Sequence, residues 1–388
     1  MHTLWNPGSP VVVVARMYSV GMEEEYFVFD AKTRRAVRRI DKKFLNLARK
    51  KLGDRVMTEM LQSQIEVATP PCATIKQARE HLAHYRRTLG NAATEHGLGL
   101  AAMGTFPLAF WPEQSVTPKA RYGAIMDDLQ MIGYRNMLCG MHVHVEVPDK
   151  DSRINLIMRL TPYLPLLLAF STSSPFWQGN LTGLVGYRLA AYDELPRTGL
   201  PELFRTTDDY NEFVAALVGA KIIPDASYIW WALRPSLPNP TIELRVADSC
   251  TRLDDAIAIA ALFRCLVRAL DRNRELNAGF DRVGRAITAE NKWHAQRYGI
   301  AATFIDPFSR EPLDVHAWLD QVLALIADDV AALACASEIK RLDTIVTQGT
   351  SANHQVNLFA RSRAAGRERL TAIQDVIDWA AAETQAVA

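Results

Sequence analysis

The sequence predicts an α+β protein whose sheet is mainly antiparallel. In the first two-thirds of the chain, segments that alternate like strands are separated by long helical stretches, and helical patterns cluster from about residue 277 onward. Regular βαβ winding would instead alternate strands and helices throughout. Neither G-x-G-x-x-G nor G-x-x-x-x-G-K-[ST] occurs, so no Rossmann or P-loop nucleotide site is expected. We expect a single domain, 1–388, with a sheet-bearing core over 15–275 and a mostly helical part over 277–388.

The strands are predicted from side chains that alternate between two faces. Successive residues of a strand point to opposite sides of the sheet, so residues two apart share a face. Alternation of this kind is found in Val20–Phe29, Met141–Val147 and Thr241–Asp248.

The helices are predicted from apolar residues at helical spacing and from charges at helix ends. Leu253–Leu270 begins with two aspartates and then becomes strongly apolar, which is typical of a core helix. The apolar stripe Ile75–Leu89 predicts a helix that ends near Gly97. The other predicted helical segments are Asp208–Lys221, Leu313–Leu319 leading into Val322–Ala336, and Arg367–Ala382.

Composition and charge exclude several classes of protein. The 44 basic and 43 acidic side chains leave a net charge of +1, and no basic run with interleaved aromatic residues occurs. We therefore expect no nucleic-acid partner. The five cysteines are widely spaced without a C-x-x-C pair, which favours buried, reduced thiols over disulfides or a structural zinc site.

Two apolar runs bear on cellular location. Val11–Val14 lacks a basic segment before it and a small-residue cleavage site after it, so it is a poor signal peptide. Leu164–Phe170 is far shorter than the roughly 20 apolar residues that a membrane-spanning helix needs. The sequence predicts a cytoplasmic protein with no membrane partner.

The first candidate site residues lie in the predicted strand Val20–Phe29. Glu23 and Glu25 share one face of this strand, and Glu24 points the other way. Two carboxylates on one buried face repel each other and lose hydration unless a cation offsets their charge. An edge strand with solvated acids would also explain the triplet.

The second candidate segment is Glu59–Pro70. Glu66 lies among apolar residues, as an acid that faces a site from a core strand would. Glu59 reaches the same site only if the intervening chain bends. Exposed acids at both positions remain the alternative.

The remaining candidates lie on the other two strands. His142, His144 and Glu146 share one face, and the valines between them share the other. Thr241, Glu243 and Arg245 also share a face, and Arg234 precedes them. An acid beside an arginine suits a metal ligand next to a phosphate clamp, although a structural ion pair would look the same. Because magnesium prefers oxygen ligands, this carboxylate-rich set favours magnesium with ATP over zinc.

These residues fall in motif blocks that resemble the type 2 glutamate–cysteine ligase family, also called bacterial carboxylate–amine ligases. The blocks follow family order over about residues 20–310 and cover most of the chain. They are Gly21–Glu25, Gln62–Pro70, Gly104–Thr105, His142–Val145, Ser173–Pro175 with Gln178–Gly179, Arg234–Pro235, Thr241–Val246 with Asp248, and Arg297–Gly299 with Asp306–Pro307.

The resemblance implies a glutamine-synthetase-like catalytic domain, in which a curved antiparallel sheet forms a funnel for ATP and Mg2+. The substrates would be a small carboxylate and an amine, by default glutamate and cysteine, and a homodimer would be expected. The implied metal ligands are Glu23, Glu25, Glu66 and Glu243, with Glu59 and His144 as further candidates. Arg234 and Arg245 would be catalytic residues that contact phosphate, and Thr241 would lie beside them at the nucleotide.

The chemistry implied by the resemblance is amide formation through an acyl phosphate. A carboxylate becomes an acylating agent once the γ-phosphoryl group of ATP gives it phosphate as a leaving group, and the amine then attacks. Such a protein mainly positions the reactants and neutralises charge on the transferring group.

Three departures from the family pattern affect the expected substrates. Phe106 stands where relatives often have histidine, Glu146 where glycine is usual, and Asn239–Pro240 where Phe-Gly is common. We expect the first two to reshape the carboxylate or amine pocket.

The main alternative is a metal-dependent hydrolase that uses the His142-x-His144 pair. That interpretation needs further histidine or aspartate ligands at strand ends, whereas His294, His316 and His354 lie in helical or irregular stretches. A phosphotransferase and a non-catalytic binding protein are further alternatives.

Overall fold

An antiparallel sheet is the centre of the fold in residues 18–387, the part of the chain that the computed structural model describes. The strands are β1 Val20–Asp30, β2 Val56–Thr58, β3 Gln64–Ala68, β4 Leu98–Ala101, β5 Met141–Glu146, β6 Phe176–Trp177, β7 Asn180–Leu181, β8 Leu233–Pro235, β9 Thr241–Leu244, β10 Thr303–Ile305 and β11 Pro312–Asp314. The main sheet has seven strands in the order β2-β3-β1-β5-β9-β8, and β4 pairs with the end of β1. All of these pairings are antiparallel, as predicted.

Helices surround this sheet. They are α1 Lys42–Leu52, α2 Ile75–Thr94, α3 Ala120–Leu129, α4 Met131–Arg135, α5 Lys150–Leu160, α6 Leu164–Ser171, α7 Tyr187–Tyr192, α8 Thr207–Gly219, α9 Leu253–Arg272, α10 Arg282–Tyr298, α11 Val315–Leu325, α12 Ala327–Ala332, α13 Ala336–Gln348, α14 Ser351–Ala364 and α15 Arg369–Gln385. As predicted, α9 is a core helix, and it packs against the sheet and against helices α2, α5, α6 and α13.

The C-terminal part is mostly helical, as predicted, but the helix predicted from Leu313 begins two residues later, at Val315. Leu313 lies in β11, which pairs with β10 in a two-stranded sheet. Asp314 ends the strand and caps α11, because its side chain accepts a hydrogen bond from the backbone N–H of Ala317 at 2.9 Å.

Two of the three predicted strands agree with the structure to within one residue, and the third is shorter than predicted. It ends at Leu244 and not at Asp248. The register explains the difference: Val143 pairs with Leu244, whereas Gly140 forms an isolated bridge with Asp248. One extra residue therefore lies on the β9 side, which is the signature of a bulge.

The apolar run Leu164–Phe170 belongs to a longer helical stretch than the sequence suggested. That stretch, Lys150–Ser171, has 22 residues and is long and apolar enough to cross a membrane, but 94% of its most apolar window is buried inside the protein. It is therefore a helix of the protein core. All five cysteines are free and buried, as expected, whereas Val11–Val14 lies outside the described residues.

A buried ion pair joins β1 to the helical layer. Glu24 and Arg86 of α2 are both fully buried, and the guanidinium donates to the two carboxylate oxygens at 2.9 and 2.7 Å. Tyr26 donates to the same carboxylate at 2.5 Å. Arg86 also donates to the carbonyl oxygens of Cys250 and Thr251, just before α9. This network fixes which face of β1 meets the helices.

We predict that Arg86→Met lowers the free energy of unfolding by about 3–5 kcal/mol, because Glu24 would remain buried without a partner. Urea denaturation followed by circular dichroism measures this loss. The matched control is Lys51→Met at the exposed Lys51–Glu95 pair, where we expect a change within about 0.5 kcal/mol. Equal effects for the two variants would contradict the prediction.

Candidate active site

The register of the main sheet brings the predicted acids together. Glu25 of β1 pairs with Glu66 of β3, and Glu23 pairs with His142 of β5. His144 pairs in turn with Glu243 of β9. Because paired residues point to the same side of a sheet, neighbouring strands present one continuous row of ionisable side chains.

Glu59 joins this row through the bend that the sequence required. It follows β2 directly, and the chain then turns into β3, with the backbone N–H of Gln64 donating to the carbonyl of Leu61. Three groups of side chains result in which the potential ligand atoms all lie within 4.8 Å of one another. They are Glu23 with Glu66 and His142, Glu23 with His144 and Glu243, and Glu25 with Glu59 and Glu66.

The two histidines are oriented toward the acids. Nδ1 of His142 lies 3.0 Å from Glu23 Oε2, and Nδ1 of His144 lies 2.9 Å from Thr241 Oγ1. In both rings Nε2 is buried without a hydrogen-bond partner. The Nε2 atom of His144 is 3.3 Å from Glu23 Oε1 but is not aligned for a hydrogen bond. Buried nitrogen atoms that face carboxylates in this way are suited to a metal ion.

Three glutamates of this row have a raised pKa. Burial, followed by the charges of Glu59, Glu23 and Glu25, raises the pKa of Glu66 well above its usual value. Burial and then the charge of Glu25 raise the pKa of Glu59 to about 7. Burial also raises the pKa of Glu25, although Arg188 and the Gly140 N–H oppose it.

Glu23 and Glu243 instead have a lowered pKa, so their charged forms are favoured. Burial alone would raise the pKa of Glu23, but contacts with His142 and His144 outweigh it and hold the pKa well below its usual range. Burial of Glu243 is likewise outweighed by Arg245 and then Arg234, which lower its pKa. At Glu25, Glu59 and Glu66, burial therefore disfavours the charged carboxylate more than neighbouring positive charges favour it.

The two predicted arginines both contact Glu243. Arg234 binds its carboxylate through Nε at 2.8 Å and Nη2 at 3.2 Å, and Arg245 binds it through Nη1. Arg234 also donates to the carbonyls of Ser227 and Ile229, so most of its donors are used. Arg245 keeps a buried Nε without a partner and a long 3.4 Å contact from Nη2 to Tyr192. Arg245 therefore has more capacity to bind a further anion.

Three adjoining cavities follow the strands across this face. The central cavity, about 210 Å³, is lined by the five glutamates, His142, His144, Arg234 and Arg245. The inner cavity, about 160 Å³, shares Glu25, Glu59, His142 and Arg245 with it and continues to Arg188 and Tyr192. The outer cavity, about 420 Å³, shares Glu23 and His144 with the central one and includes Thr241. All six predicted metal-site residues therefore line one cavity.

The sequence profile of glutamate-cysteine ligase family 2 matches residues 19–374. A protein from Bradyrhizobium sp. (strain ORS 278), provisionally named glutamate–cysteine ligase 2, is 46% identical over 95% of this chain and 88% of its own length. A relative of the same name from Rhodospirillum rubrum is 42% identical over 95% of this chain and 96% of its own. The chain belongs to glutamate–cysteine ligase family 2.

Solved structures show the same fold at low sequence identity. Glutamate–cysteine ligase from Francisella tularensis, in complex with AMP, superposes with a TM-score of 0.67 at 11% identity over 95% of this chain and 89% of the other. A bifunctional glutathione synthetase from Pasteurella multocida gives a TM-score of 0.66 at 16% identity over 94% of this chain and 52% of the other. The predicted glutamine-synthetase-like fold is confirmed.

Family 2 membership makes the protein an enzyme of the ligase class that forms C–N bonds. This favours a ligase over the metal-dependent hydrolase. The geometry agrees, since His294, His316 and His354 lie on α10, α11 and α14, and none of them joins the three donor groups found in residues 18–387.

The sequence missed three side chains at the site of this family 2 enzyme. His142 belongs to a donor group, although only His144 was predicted as a ligand. The sequence placed it on the polar face of its strand but did not assign it to the ligands. Arg188 and Tyr192 lie on the short helix α7 and line the inner cavity. No strand alternation marks them, so only the tertiary structure places them there.

The residues that depart from the family pattern differ in whether they line the three cavities. Phe106 is buried against Phe27 and Phe29, with ring centroids 5.4 Å apart in both pairs, and it lines none of the three cavities. This position gives no support to the expectation that Phe106 shapes the substrate pocket. Glu146 accepts a hydrogen bond from Ser19 Oγ at 2.8 Å and lines the outer cavity, as does Asn239.

We predict that Glu66→Gln stabilises the metal-free enzyme by about 1 kcal/mol, because it removes one carboxylate from a repulsive buried group. We also expect Mg2+ to raise the unfolding temperature of the wild type, and Glu66→Gln to lose much of that rise. Thermal denaturation with chelator and with Mg2+ measures both effects. The exposed Glu80→Gln is the matched control, and a larger Mg2+ effect in Glu66→Gln would contradict the prediction.

Proposed function

We propose that this family 2 enzyme joins a small carboxylate to an amine with ATP and Mg2+, through an acyl phosphate, with glutamate and cysteine as default substrates. The observation that supports this most directly is the meeting of five glutamates and two histidines, from the β3-β1-β5-β9 face and the β2–β3 turn, around one cavity.

The donor set supports magnesium over zinc. Glu25, Glu59 and Glu66 form an all-carboxylate group, which suits a hard cation that prefers oxygen ligands. The two groups that contain histidine share Glu23, so neighbouring ions would have a ligand in common. We assign the metal-binding role to Glu23, Glu25, Glu59, Glu66, His144 and Glu243, and we add His142.

Nucleotide binding is proposed at the outer and central cavities. The Francisella structure with AMP shows that this fold accommodates an adenine nucleotide in that protein. In the present chain the outer cavity is the largest of the three and opens onto the donor groups at Glu23 and His144. Bound magnesium would neutralise phosphate oxygens next to these carboxylates. Thr241 would keep His144 oriented through its 2.9 Å contact.

The arginines are proposed to act on the phosphoryl group in different ways. Arg245 has a free Nε and contacts Glu243 through only one nitrogen, so it can also bind the group being transferred. Arg234 holds Glu243 with two nitrogens and is itself held by two carbonyls. We therefore expect Arg245 to stabilise developing charge directly and Arg234 to keep Glu243 in place.

The proposal also covers the domain organisation, the cellular location and the oligomeric state. We propose that residues 1–388 act as one catalytic domain and that the enzyme works in the cytoplasm as a homodimer. Gel filtration coupled to light scattering would test the dimer.

We expect ADP release to require Mg2+, ATP and a matching pair of carboxylate and amine. A coupled ADP assay over pairs of amino acids, with mass spectrometry of the product, tests this. Activity with Zn2+ in the absence of ATP would instead support the hydrolase, and a stable phosphorylated product would support a phosphotransferase.

Glu23→Gln should reduce ADP release by at least about 100-fold, because Glu23 contributes to two of the three donor groups. The matched control is Glu80→Gln on the exposed side of α2, which should keep wild-type kinetics. Wild-type rates for Glu23→Gln, in a protein with an unchanged unfolding temperature, would remove Glu23 from the metal site.

Arg245→Lys should lower kcat by about 100-fold, because lysine cannot contact Glu243 and a phosphoryl oxygen with one planar fork. Arg35→Lys, at the exposed Arg35–Glu113 pair, is the control. If Arg245→Lys changed only the KM for ATP and not kcat, Arg245 would be a ground-state contact and not a transition-state contact.

A further inference from the structure

Helix α10 presents a group of aromatic side chains to solvent. Among residues 18–387, twelve large apolar side chains are exposed, and five of them lie between residues 283 and 308. Trp293 is the only tryptophan of the twelve, with 47% of its surface exposed. Its ring lies 6.2 Å from that of Tyr298, which is 41% exposed, and 5.6 Å from that of His294. Clustered apolar side chains at a surface are typical of interaction sites.

The opposite face of α10 is fixed to the rest of the protein. Its buried residues Gly284, Thr288, Asn291 and Ala295 recur at helical spacing, and the helix packs against α6. The Asn291 side chain forms two hydrogen bonds with the backbone of Ile305, at 2.7 and 2.9 Å, which joins the β10–β11 hairpin to the helix. The exposed face is therefore preformed, and a partner can bind it without reordering the helix.

The charges on the exposed face of α10 form a row that is complementary to itself. Glu290, then Trp293 with His294, and then Arg297 are spaced by three and four residues, so they follow one stripe of the helix. The Glu290 side chain is 60% exposed, and its carboxylate lies 3.4 Å from His294 Nε2. Arg297 donates to the Gly183 carbonyl through Nη1. The row thus has an acid at one end, an arginine at the other and aromatic rings between them.

An antiparallel copy of the same row matches it at each position. In a two-fold arrangement of this kind, position 290 of one copy faces position 297 of the other, and position 293 faces position 294, because both pairs share one midpoint on the helix. Opposite charges therefore meet at both ends, whereas a parallel copy would bring two Glu290 side chains together. Ala286 and Ala289 are also exposed, and their small size lets two helices approach closely.

We propose that the exposed face of α10 is the contact surface for a second copy of this chain, packed antiparallel about a two-fold axis between Trp293 and His294. The inference rests on the homodimer of the proposed function and assigns it an interface. Trp293 is the apolar anchor, since aromatic side chains dominate the binding energy of such contacts. Two pairs of Glu290 with Arg297 set the orientation. None of these four residues lines the three cavities, so the contact itself occupies neither active site.

The molecular mass of the full-length enzyme in solution tests this surface. Light scattering should give the mass of a dimer for the wild type. Trp293→Glu should weaken the dimer by at least about 30-fold, measured by sedimentation over a dilution series. The matched control is Leu370→Glu on α15, which alters another exposed apolar side chain and should keep the wild-type dimer. A monomeric wild type, or equal effects of the two variants, would overturn the proposal.

Reversal of charge tests the antiparallel orientation. Glu290→Arg brings arginine to face arginine, and Arg297→Glu brings acid to face acid, so each should weaken self-association by at least about 10-fold. An equimolar mixture of the two variants should recover dimers, because every arginine of a mixed pair faces a glutamate. Glu80→Arg on α2 is the control for the charge change and should leave the dimer unaltered.

Circular dichroism and the unfolding temperature establish that each variant is folded. Failure of two folded variants to recover dimers when mixed overturns the antiparallel contact. Arg297→Glu also removes the contact with the Gly183 carbonyl. If that variant does not fold, Glu290→Arg and Trp293→Glu still decide the proposal, and a wild-type dimer in either one overturns it.

The outcomes also separate this surface from the ligase chemistry. If the wild type is a dimer that none of the α10 variants weakens, the surface is wrong and the homodimer stands. If the dimer forms through α10 but the wild type releases no ADP with any pair of substrates, the ligase proposal fails and the surface stands.

Discussion

The alternation of side chains along β1 is the constraint on which the site depends. The buried ion pair with Arg86 holds the Glu24 side chain on the helical side of the sheet. Glu23 and Glu25 therefore point to the opposite face. A slip of one residue would bury two unpaired acids among the helices and remove both from the site. Because Arg86 also holds the backbone before α9, the same pair connects the catalytic sheet to the core helix.

The sheet needs this support because the buried carboxylates of the site disfavour the folded state. Ligand atoms of Glu25, Glu59 and Glu66 lie within 4.8 Å of one another, and burial, followed by repulsion between the carboxylates, raises the pKa of Glu59 and Glu66. The surrounding sheet and core keep them together although their charges favour separation. Under the proposed function, a bound divalent cation would relieve this repulsion.

Sequence alone could predict the part of the site that follows strand periodicity. Glu23, Glu25, Glu66, His144, Glu243 and Arg245 all lie where period-two alternation on apolar strands places them, and the mainly antiparallel fold followed from the order of the elements. Arg188 could not be found this way, because it lies on a six-residue helix whose position depends on loops and on Gly140. The bulge after Leu244 was missed because it depends on pairing with the distant Gly140. The strand at Leu313 was missed because it has only three residues, too few to show alternation.

The direction of the strands also separates the two ends of the proposed reaction. Along β1, Gly21 lines the outer cavity, Glu23 the outer and central cavities, and Glu25 the central and inner cavities. Under the proposed function, the nucleotide therefore approaches the donor row from the outer end of these strands, and the inner cavity is left for the substrates. Glu146 and Asn239, which depart from the family pattern, lie at the outer end. Under the proposed function, their effect should therefore fall on nucleotide binding.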